Sequence, residues 1–304
     1  MAANIPMRER NNLIKGIGFW LALGLALLFF LFPLYWMLVT SVKARAEVTL
    51  LPPTFVPFVD FTPTGVNYLA VFTRVSELGG ALVQGEERQA ELSDFPLHLF
   101  NSVVIAGGST VLSVVLGTLA AYAFSRFRIR GEADLLFFIL STRMLPPIVV
   151  LIPIFLMFTW AGLRESYLGI TLLYITTGLP FVVWMMKGFF DEIPREYEEA
   201  AMTDGYSRLE AIWKIVLPEA LPAMLATAVF VLITSWNEFV FVQLLNPSTG
   251  TTVPPFLLAI VGYGQIEWGR MAATSVVFLL PVVIFTFLVR HHLLRGVTFG
   301  AVRR

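Results

Sequence analysis

Side chains that could carry catalysis are few in this sequence. The chain has no cysteine and only three histidines, His98, His291 and His292. Without cysteine there is no thiolate nucleophile, thiolate metal site or disulfide. A phosphate-binding loop is also absent, because no glycine directly precedes a lysine anywhere in the chain. The sequence therefore predicts a protein that is not an enzyme and that cannot hydrolyse ATP through such a loop.

Charged and small residues are concentrated between Glu198 and Pro222. Glu198 to Thr203 is good helix-forming sequence. Asp204-Gly205 should end that helix, because glycine accepts the left-handed conformation at a helix end without steric cost. We expect Gly205 to have a positive φ and the small side chains of Ala200 and Ala201 to lie on the surface of the helix.

A second short helix is predicted directly after this turn. Ser207 is placed to cap a helix from Arg208 to Lys214. Pro218 suits the first turn of the next helix, where a missing N–H costs nothing. The stretch therefore predicts two short helices joined by a turn, followed by a longer apolar helix.

The composition is that of a polytopic membrane protein. Hydrophobic residues make up 57% of the chain and charged residues 14%, and the mean hydropathy is +0.77. A typical soluble globular protein is less apolar and carries more charge. The formal net charge is zero, so electrostatics give no reason to expect a nucleic-acid partner.

Six apolar runs are long enough to cross a bilayer core of roughly 30 Å. We predict an all-α fold with six transmembrane helices, approximately Ile17–Val39, Leu99–Phe124, Leu135–Trp160, Leu168–Phe190, Leu221–Leu245 and Ala272–Leu294. The first run could instead be a signal peptide, because Ala44-Arg45-Ala46 is similar to a cleavage site. Its length exceeds an apolar signal core of about 7–15 residues, which favours a retained helix.

Lysine and arginine indicate the orientation of these spans. Most of them fall in residues 1–16, in the connections that follow spans two and four, and around residues 295–304. Both termini and the loop of about 191–217 should therefore face the cytoplasm, with the loop of about 43–97 outside. Lys43 and Arg45 count mildly against this orientation. The acidic part of the external loop, 77–94, is either a solvated loop or a contact surface for a soluble partner.

The segment between spans four and five resembles the cytoplasmic loop of ABC importer permeases. The signature of that family is E-A-A, a glycine four residues on, and I-x-L-P after nine more residues. The matching positions here are Glu199, Ala200, Ala201, Gly205, Ile215, Leu217 and Pro218. In that family the loop docks into a cleft on the ATPase subunit.

The resemblance covers about residues 95 to 304 and is to the carbohydrate branch of the family. The motifs that carry it are Asn101-Ser102, Ala120–Phe127, Arg143-Met144-x-Pro146-Pro147 and Trp236–Phe239. The final Gly296-x-x-x-Gly300-Ala301-Val302-Arg303 is similar to the tail of the second permease of maltose transporters. Residues 1–16, 17–294 and 295–304 are thus expected to be a cytoplasmic N-terminus, the membrane domain and a cytoplasmic tail.

The resemblance implies a type I ABC importer permease fold in the cytoplasmic membrane of a bacterium or archaeon. Its implied partners are a second permease subunit, two ATP-binding subunits, an external solute-binding protein and the lipid bilayer. This chain would bind no cofactor, with ATP and Mg held by the ATPase subunits. The residues expected to couple to the ATPase are Glu198, Glu199, Ala200, Ala201, Asp204, Gly205, Ile215, Leu217 and Pro218, and in the tail Gly300, Ala301 and Arg303.

Polar and aromatic side chains in spans three to five indicate a path for the substrate. Arg143 lies about 12 Å into the third span at 1.5 Å per residue, where a charge should face a wet cavity, with Glu238 as the partner to test. Both charges could instead lie near the interfaces and snorkel. Proline residues at 146, 147 and 153 can kink the third helix. The candidate path residues are Arg143, Tyr174, Thr177, Trp236, Asn237 and Glu238, with Thr176, Trp184 and Gln243 as further polar or aromatic groups.

The implied function is import of a sugar, oligosaccharide or polyol by alternating access. A permease of the same family for a non-carbohydrate solute remains open. From other classes, a secondary transporter and a membrane scaffold also remain open. Secondary transporters usually show internal repeats and need no loop that docks on an ATPase.

Overall fold

A computed structural model of the chain describes residues 7–73, 93–248, 251–261 and 266–299. Within these ranges the regular structure is helical and contains no β-strand. The long apolar helices are α1 (Met7–Ser41), α4 (Phe95–Arg126), α7 (Tyr167–Glu192), α10 (Leu217–Trp236) and α13 (Trp268–Phe299). The shorter helices are α2 (Arg45–Val48), α3 (Val66–Phe72), α5 (Glu132–Ser141), α6 (Pro147–Trp160), α8 (Glu196–Thr203), α9 (Arg208–Ala211), α11 (Val240–Leu245) and α12 (Val253–Ile260).

The long helices confirm the predicted membrane class. Five helical segments of the described chain are long and apolar enough to cross a bilayer, and six if the bent pair α5 and α6 counts as one span. The fold divides into two compact units. One comprises Met1–Ser93 with Ile260–Val277, and the other comprises Asp94–Ala259 with Phe278–Arg304.

The third span is not the continuous helix that its apolar sequence predicts. It consists of α5, a 3₁₀ turn at Thr142–Met144, and α6, and the two helices are bent by 98°. The cause is Pro146-Pro147, because proline disfavours the helical conformation of the residue before it. Leu145 and Pro146 are accordingly extended, with ψ of 121° and 132°. The predicted kink is confirmed, but its size turns the span into a broken one.

The fifth span also differs from its prediction of Leu221–Leu245. Its helix α10 begins four residues earlier, at Leu217, and ends at Trp236. Glu238 then starts a new helix, because its carboxylate accepts the N–H groups of Phe241 at 2.9 Å and Val242 at 3.3 Å. These are two of the N–H groups that have no partner within a helix's first turn. The break falls at the polar pair Asn237-Glu238, which the sequence prediction included within one continuous span.

A buried lysine organises the start of the loop after α1. Lys43 is 1% exposed and lies over the rings of Trp36 at 4.5 Å and Phe61 at 5.2 Å, while its Nζ donates to the carbonyl of Thr54. Burial lowers the pKa of the Lys43 ammonium below its usual range. Asp60 accepts two backbone N–H groups at 2.8 Å, which lowers the pKa of its carboxyl. Lys43 thus stabilises this loop, in addition to being one of the lysine and arginine residues used to predict the orientation of the spans.

The core of the second unit depends on close packing between α4 and α7. A Cβ at Gly117 would lie 2.6 Å from the Cβ of Val182, and one at Gly178 would lie 2.9 Å from the Oγ of Ser113. Real Cβ atoms essentially never lie that close, so a side chain at either position would force its neighbours to shift. Small residues are the usual means by which helices in membranes approach one another.

Candidate coupling loop and translocation path

The turn after α8 has the predicted geometry. Gly205 has a φ of +94°, which an L-residue with a side chain adopts only with strain. The N–H of Tyr206 donates to the carbonyl of Ala201 at 3.1 Å, closing the helix end. The predicted end of the helix at Asp204-Gly205 and the predicted positive φ of Gly205 are confirmed.

A capping box starts α9. The Oγ of Ser207 accepts the N–H of Glu210 at 3.3 Å, and the carboxylate of Glu210 accepts the N–H of Ser207 at 2.9 Å. Each group satisfies a donor that the helix itself leaves free. The cap predicted at Ser207 is therefore confirmed. Glu210 stands at the position that the S-x-x-E capping-box pattern gives, which the prediction had not used.

The second helix changes character before it reaches the membrane span. The α-helical part ends at Ala211 and a π-helical turn follows over Ile212–Val216, where the N–H of Leu217 donates to the carbonyl of Ile212. Pro218 explains the wider turn, because it has no N–H and its ring crowds the carbonyl four residues earlier. Pro218 lies in the first turn of α10, as predicted.

One prediction about α8 is wrong. Ala200 is exposed, but Ala201 is only 3% exposed and does not lie on the surface. Ala201 is three residues after Glu198, so both lie on the same face of the helix. That face is turned into the protein, and Glu199 with Ala200 forms the exposed side.

Glu198 lies inside this chain and has two partners there. Its carboxylate forms an ion pair with the Nε of Arg126 and accepts the hydroxyl of Tyr122 at 2.6 Å. Both charged side chains are nearly inaccessible, at 7% for Glu198 and 4% for Arg126. Arg126 and Tyr122 belong to the stretch Ala120–Phe127 noted in the sequence, but no spacing rule connects that stretch to Glu198.

Large apolar side chains on the exposed face of this loop were not among the predicted site residues. Leu209 and Trp213 are each 68% exposed, and Tyr197 and Tyr206 are also exposed. Several exposed apolar residues close together in a chain are typical of interaction surfaces. The sequence could have indicated them, because aromatic residues and leucine stand out in an otherwise charged loop.

The candidate path residues on spans three, four and five are partly brought together. Tyr174 on α7 is buried and donates its hydroxyl to Glu238 at 3.0 Å. Arg143, in the break of the third span, donates from Nη1 to the carbonyl of Thr177 at 2.7 Å. Because Tyr174 and Thr177 lie one turn apart on α7, they connect the breaks of the third and fifth spans.

The expected ion pair of Arg143 with Glu238 is not formed. None of the ion pairs among the described residues joins these two side chains. Glu238 is instead engaged by Tyr174 and the first turn of α11, and Arg143 by a backbone carbonyl. Arg143 and Glu238 are therefore each bonded to other groups and not to one another.

Trp236 and Asn237 differ in their surroundings although they are adjacent. Trp236 is buried, its indole N–H donates to the carbonyl of Phe278 at 3.2 Å, and its ring stacks on that of Phe278 at 4.9 Å. Asn237 is exposed and donates to the carbonyl of Ile233 at 2.8 Å. The structure therefore groups Asn237, but not Trp236, with accessible path residues.

Two groups of predicted residues cannot be placed. Gly300, Ala301 and Arg303 of the tail lie outside the described residues, as does the acidic stretch up to residue 92. Among the residues that are described, no group of three or more histidine, aspartate or glutamate side chains is placed to hold a metal ion.

Comparisons with a family model and with individual known sequences indicate the same family. Residues 113–298 match the family described as binding-protein-dependent transport system inner membrane component. The chain is 32% identical to the inner membrane ABC transporter permease protein YcjP of Escherichia coli, over 98% of this chain and 100% of that protein. It is also 32% identical to the trehalose/maltose transport system permease protein MalG of Thermococcus litoralis, over 97% and 99%.

A solved structure shares the fold. It is that of a bacterial ABC transporter involved in the import of the acidic polysaccharide alginate, with a TM-score of 0.71 and 24% identity. The likeness covers 93% of this chain and 98% of that one. Proteins of the matched family are membrane-embedded transport subunits and not enzymes. Fold, span pattern and sequence agree, and the chain belongs to the family of inner membrane permease components of binding-protein-dependent ABC transport systems.

Proposed function

We propose that this chain is a permease subunit that imports a carbohydrate by alternating access. Its relatives support this substrate class by their names. Besides the trehalose/maltose permease, they include a sulfoquinovosyl glycerol permease of Agrobacterium fabrum, 31% identical over 90% of this chain, and a diacetylchitobiose permease of Streptomyces coelicolor, 27% identical over 90%. The names of these three relatives contain a sugar or a sugar-derived solute, which favours a sugar, oligosaccharide or polyol here.

The proposed assembly has five chains, and this one supplies half of the membrane path. The others are a second permease, two ATP-binding subunits that hold ATP and Mg, and an external solute-binding protein. Both termini and the loop with α8 and α9 face the cytoplasm in this proposal, as the lysine and arginine pattern indicates. The tail residues Gly300, Ala301 and Arg303 would contact the ATPase dimer.

The geometry of α8 and α9 is the observation that carries the ATPase contact. Glu199 and Ala200 are exposed on α8, before the turn at Gly205. Leu209 and Trp213 are exposed after it. A loop that exposes a carboxylate together with large apolar side chains has the composition of a binding site with aromatic anchors and a charged rim. Asp204, Ile215, Leu217 and Pro218 would set the shape of this surface rather than touch the partner.

The substrate path is proposed to run between spans three, four and five. Breaks in the third and fifth spans free backbone carbonyls, and such breaks are tolerated at membrane depth where they line a cavity. Arg143, Thr177 and Asn237 are exposed at or next to these breaks. Tyr174 and Glu238, which are hydrogen-bonded to each other, would hold these exposed side chains in position. These groups would offer a sugar the hydrogen bonds that its hydroxyls require.

Co-purification tests the assembly directly. The tagged chain is expressed with its second permease and its ATP-binding subunit, extracted in mild detergent and isolated through the tag. The proposal expects the ATP-binding subunit to be retained in a stoichiometric complex. Deleting 196–216, the segment with α8, α9 and the π turn, should abolish its retention while the two permeases remain associated. Retention of the ATP-binding subunit without that segment would contradict the proposed docking site.

A further inference from the structure

The guanidinium of Arg126 lies at the end of α4 and is bonded in several directions at once. Its Nε is paired with Glu198 of α8. Its Nη1 donates to the carbonyl of Phe190 at 2.8 Å, and its Nη2 donates to the carbonyl of Ile193 at 3.0 Å. Both carbonyls belong to the end of α7. One side chain of α4 therefore holds α7 and α8 together.

Glu198 is as fully engaged as Arg126. One carboxylate oxygen takes the Nε of Arg126 and the other takes the hydroxyl of Tyr122. Hydrogen bonds between ionised groups are the stronger class of hydrogen bond in proteins. A carboxylate that is buried and bonded through both oxygens within its own chain is not available to a partner subunit.

A second set of contacts ties the start of α8 to the same place. Arg195, just before α8, donates from Nη2 to the carbonyl of Ser125 at 2.7 Å. The hydroxyl of Ser125 donates to the carboxylate of Asp191 at 2.6 Å, which also holds Lys187 at 2.8 Å. The helix α8 is therefore attached through Arg195 and through Glu198, so it has no free pivot at its N-terminal half.

We infer that Arg126 and Glu198 form a fixed joint that makes α8 move as one body with the ends of α4 and α7. The inference rests on the proposed function, in which the exposed side of α8 meets the ATPase. Glu198 is then a positioning residue that passes motion inward, whereas Glu199 meets the partner. Breaking one half of a buried ion pair leaves an uncompensated charge, so α8 cannot rotate separately without a large penalty.

Paired variants of the two adjacent glutamates test this division. Glu198→Gln keeps the size and the hydrogen bond from Tyr122 but removes the charge that faces Arg126. Glu199→Gln makes the same chemical change one residue further on, at an exposed position. In reconstituted complexes, Glu198→Gln should retain the ATP-binding subunit but lower the solute imported per ATP by at least about fivefold, the lower end of coupling between linked sites. Glu199→Gln should instead weaken retention of the ATP-binding subunit.

A distance measurement tests the joint itself. The chain has no natural cysteine, so spin labels at Thr203→Cys and Gly188→Cys report only the separation of α8 and α7 when cysteine-free partners are used. Both positions are exposed, and a Cβ at Gly188 meets no atom within 4 Å. The expected distance distribution is narrow and the same in the nucleotide-free and ATP-trapped complexes. Glu198→Gln should broaden it, and Glu199→Gln should leave it unchanged.

The outcomes separate the joint from the proposed function. An unchanged distance distribution and unchanged import per ATP in Glu198→Gln would overturn the joint, as would loss of the ATP-binding subunit equal to that in Glu199→Gln. If Glu198→Gln fails to fold, Tyr122→Phe removes one hydrogen bond and should still broaden the distribution partially. If the parent chain binds no ATP-binding subunit, the proposed function fails, and the label distances in the permease still decide the joint.

Discussion

Glu198 and Glu199 differ by one position and face opposite environments. Glu198 is buried against Arg126 and Tyr122, while Glu199 is exposed beside Ala200. The sequence alone treats them as one acidic pair, because the helical period assigns their faces only after the packing side of α8 is known. That side is set by Ala201 and Glu198, which share the inner face. The residue types predicted the loop, but packing determines that Glu198 is buried and that Glu199 is exposed.

Replacing Glu199 tests the proposed contact with the ATPase. Glu199→Ala should weaken binding of the ATP-binding subunit by about 2–5 kcal/mol, the range for truncating one partner of a buried charge pair in an interface. Titration of the subunit onto the permease pair in nanodiscs measures the change. Glu192→Ala is the control, since Glu192 is an exposed acid at the end of α7, outside α8 and α9. Equal affinities for the two variants would remove Glu199 from the interface.

The positive φ of Gly205 leads to a second prediction at the residue scale. A Cβ there meets no atom of this chain within 4 Å, so the penalty visible in the structure is backbone strain at the positive φ. That penalty is about 1–2 kcal/mol for left-handed backbone and acts at the turn between α8 and α9. Gly205→Val should leave the spans inserted and lower the ATPase activity that substrate stimulates.

Gly65→Val serves as the control for Gly205→Val. Gly65 also has open space around its Cβ, but its φ of −89° suits any residue. Stimulated ATPase activity and uptake are compared in reconstituted complexes. Near-normal values for both variants would show that the conformation of Gly205 places no demand on coupling.

At the scale of elements, the breaks in the third and fifth spans are the features that sequence predicted least well. Pro146-Pro147 predicted a kink, but a local rule for proline does not give its size, which is 98°. The end of α10 at Trp236 depends on Glu238 capping the following helix through Phe241. Arg143 lies in one break and Asn237-Glu238 in the other, but the apolar runs on either side are long, so hydropathy averaged over a whole span indicated its length and position and not its continuity.

Substitutions of the two residues at the end of α10 should distinguish a residue that stabilises the fold from one that serves transport. Trp236→Ala removes a buried ring stacked on Phe278 and should destabilise the fold by about 3–5 kcal/mol. Asn237→Ala changes an exposed amide and should leave stability unchanged while lowering uptake. Thermal unfolding in detergent and uptake in proteoliposomes are measured on both. Normal uptake in Asn237→Ala would take that residue out of the path.

Close packing of α4 on α7 gives a further prediction for these elements. Gly117→Ala places a Cβ 2.6 Å from Val182, so the helices must separate. Overpacking of this kind typically costs about 1–3 kcal/mol, and the unfolding temperature should fall accordingly. Gly107→Ala, on the same helix with open space at its Cβ, should not lower it. A similar unfolding temperature for both would show that the helices adjust freely.

For the whole molecule, composition was sufficient to predict a polytopic membrane protein. The permease class came from the resemblance of the loop between spans four and five to a known family, and the family match agrees. Composition and motifs could not show that Glu198 is buried while its neighbour Glu199 is exposed. Arg126, seventy-two positions from Glu198 in sequence, becomes its partner only when α4 and α7 end at the same place. Long-range pairs of this kind follow from the packing of helices, and no local pattern reveals them.

Uptake into proteoliposomes tests the central claim most directly. Complexes of both permeases with the ATP-binding subunits are reconstituted, ATP is enclosed on the side of α8 and α9, and the binding protein is added outside with a labelled sugar that it binds. We expect accumulation of the sugar against its gradient only when ATP and the binding protein are both present. Accumulation driven by an ion gradient without ATP, or none with every component present, would contradict the account.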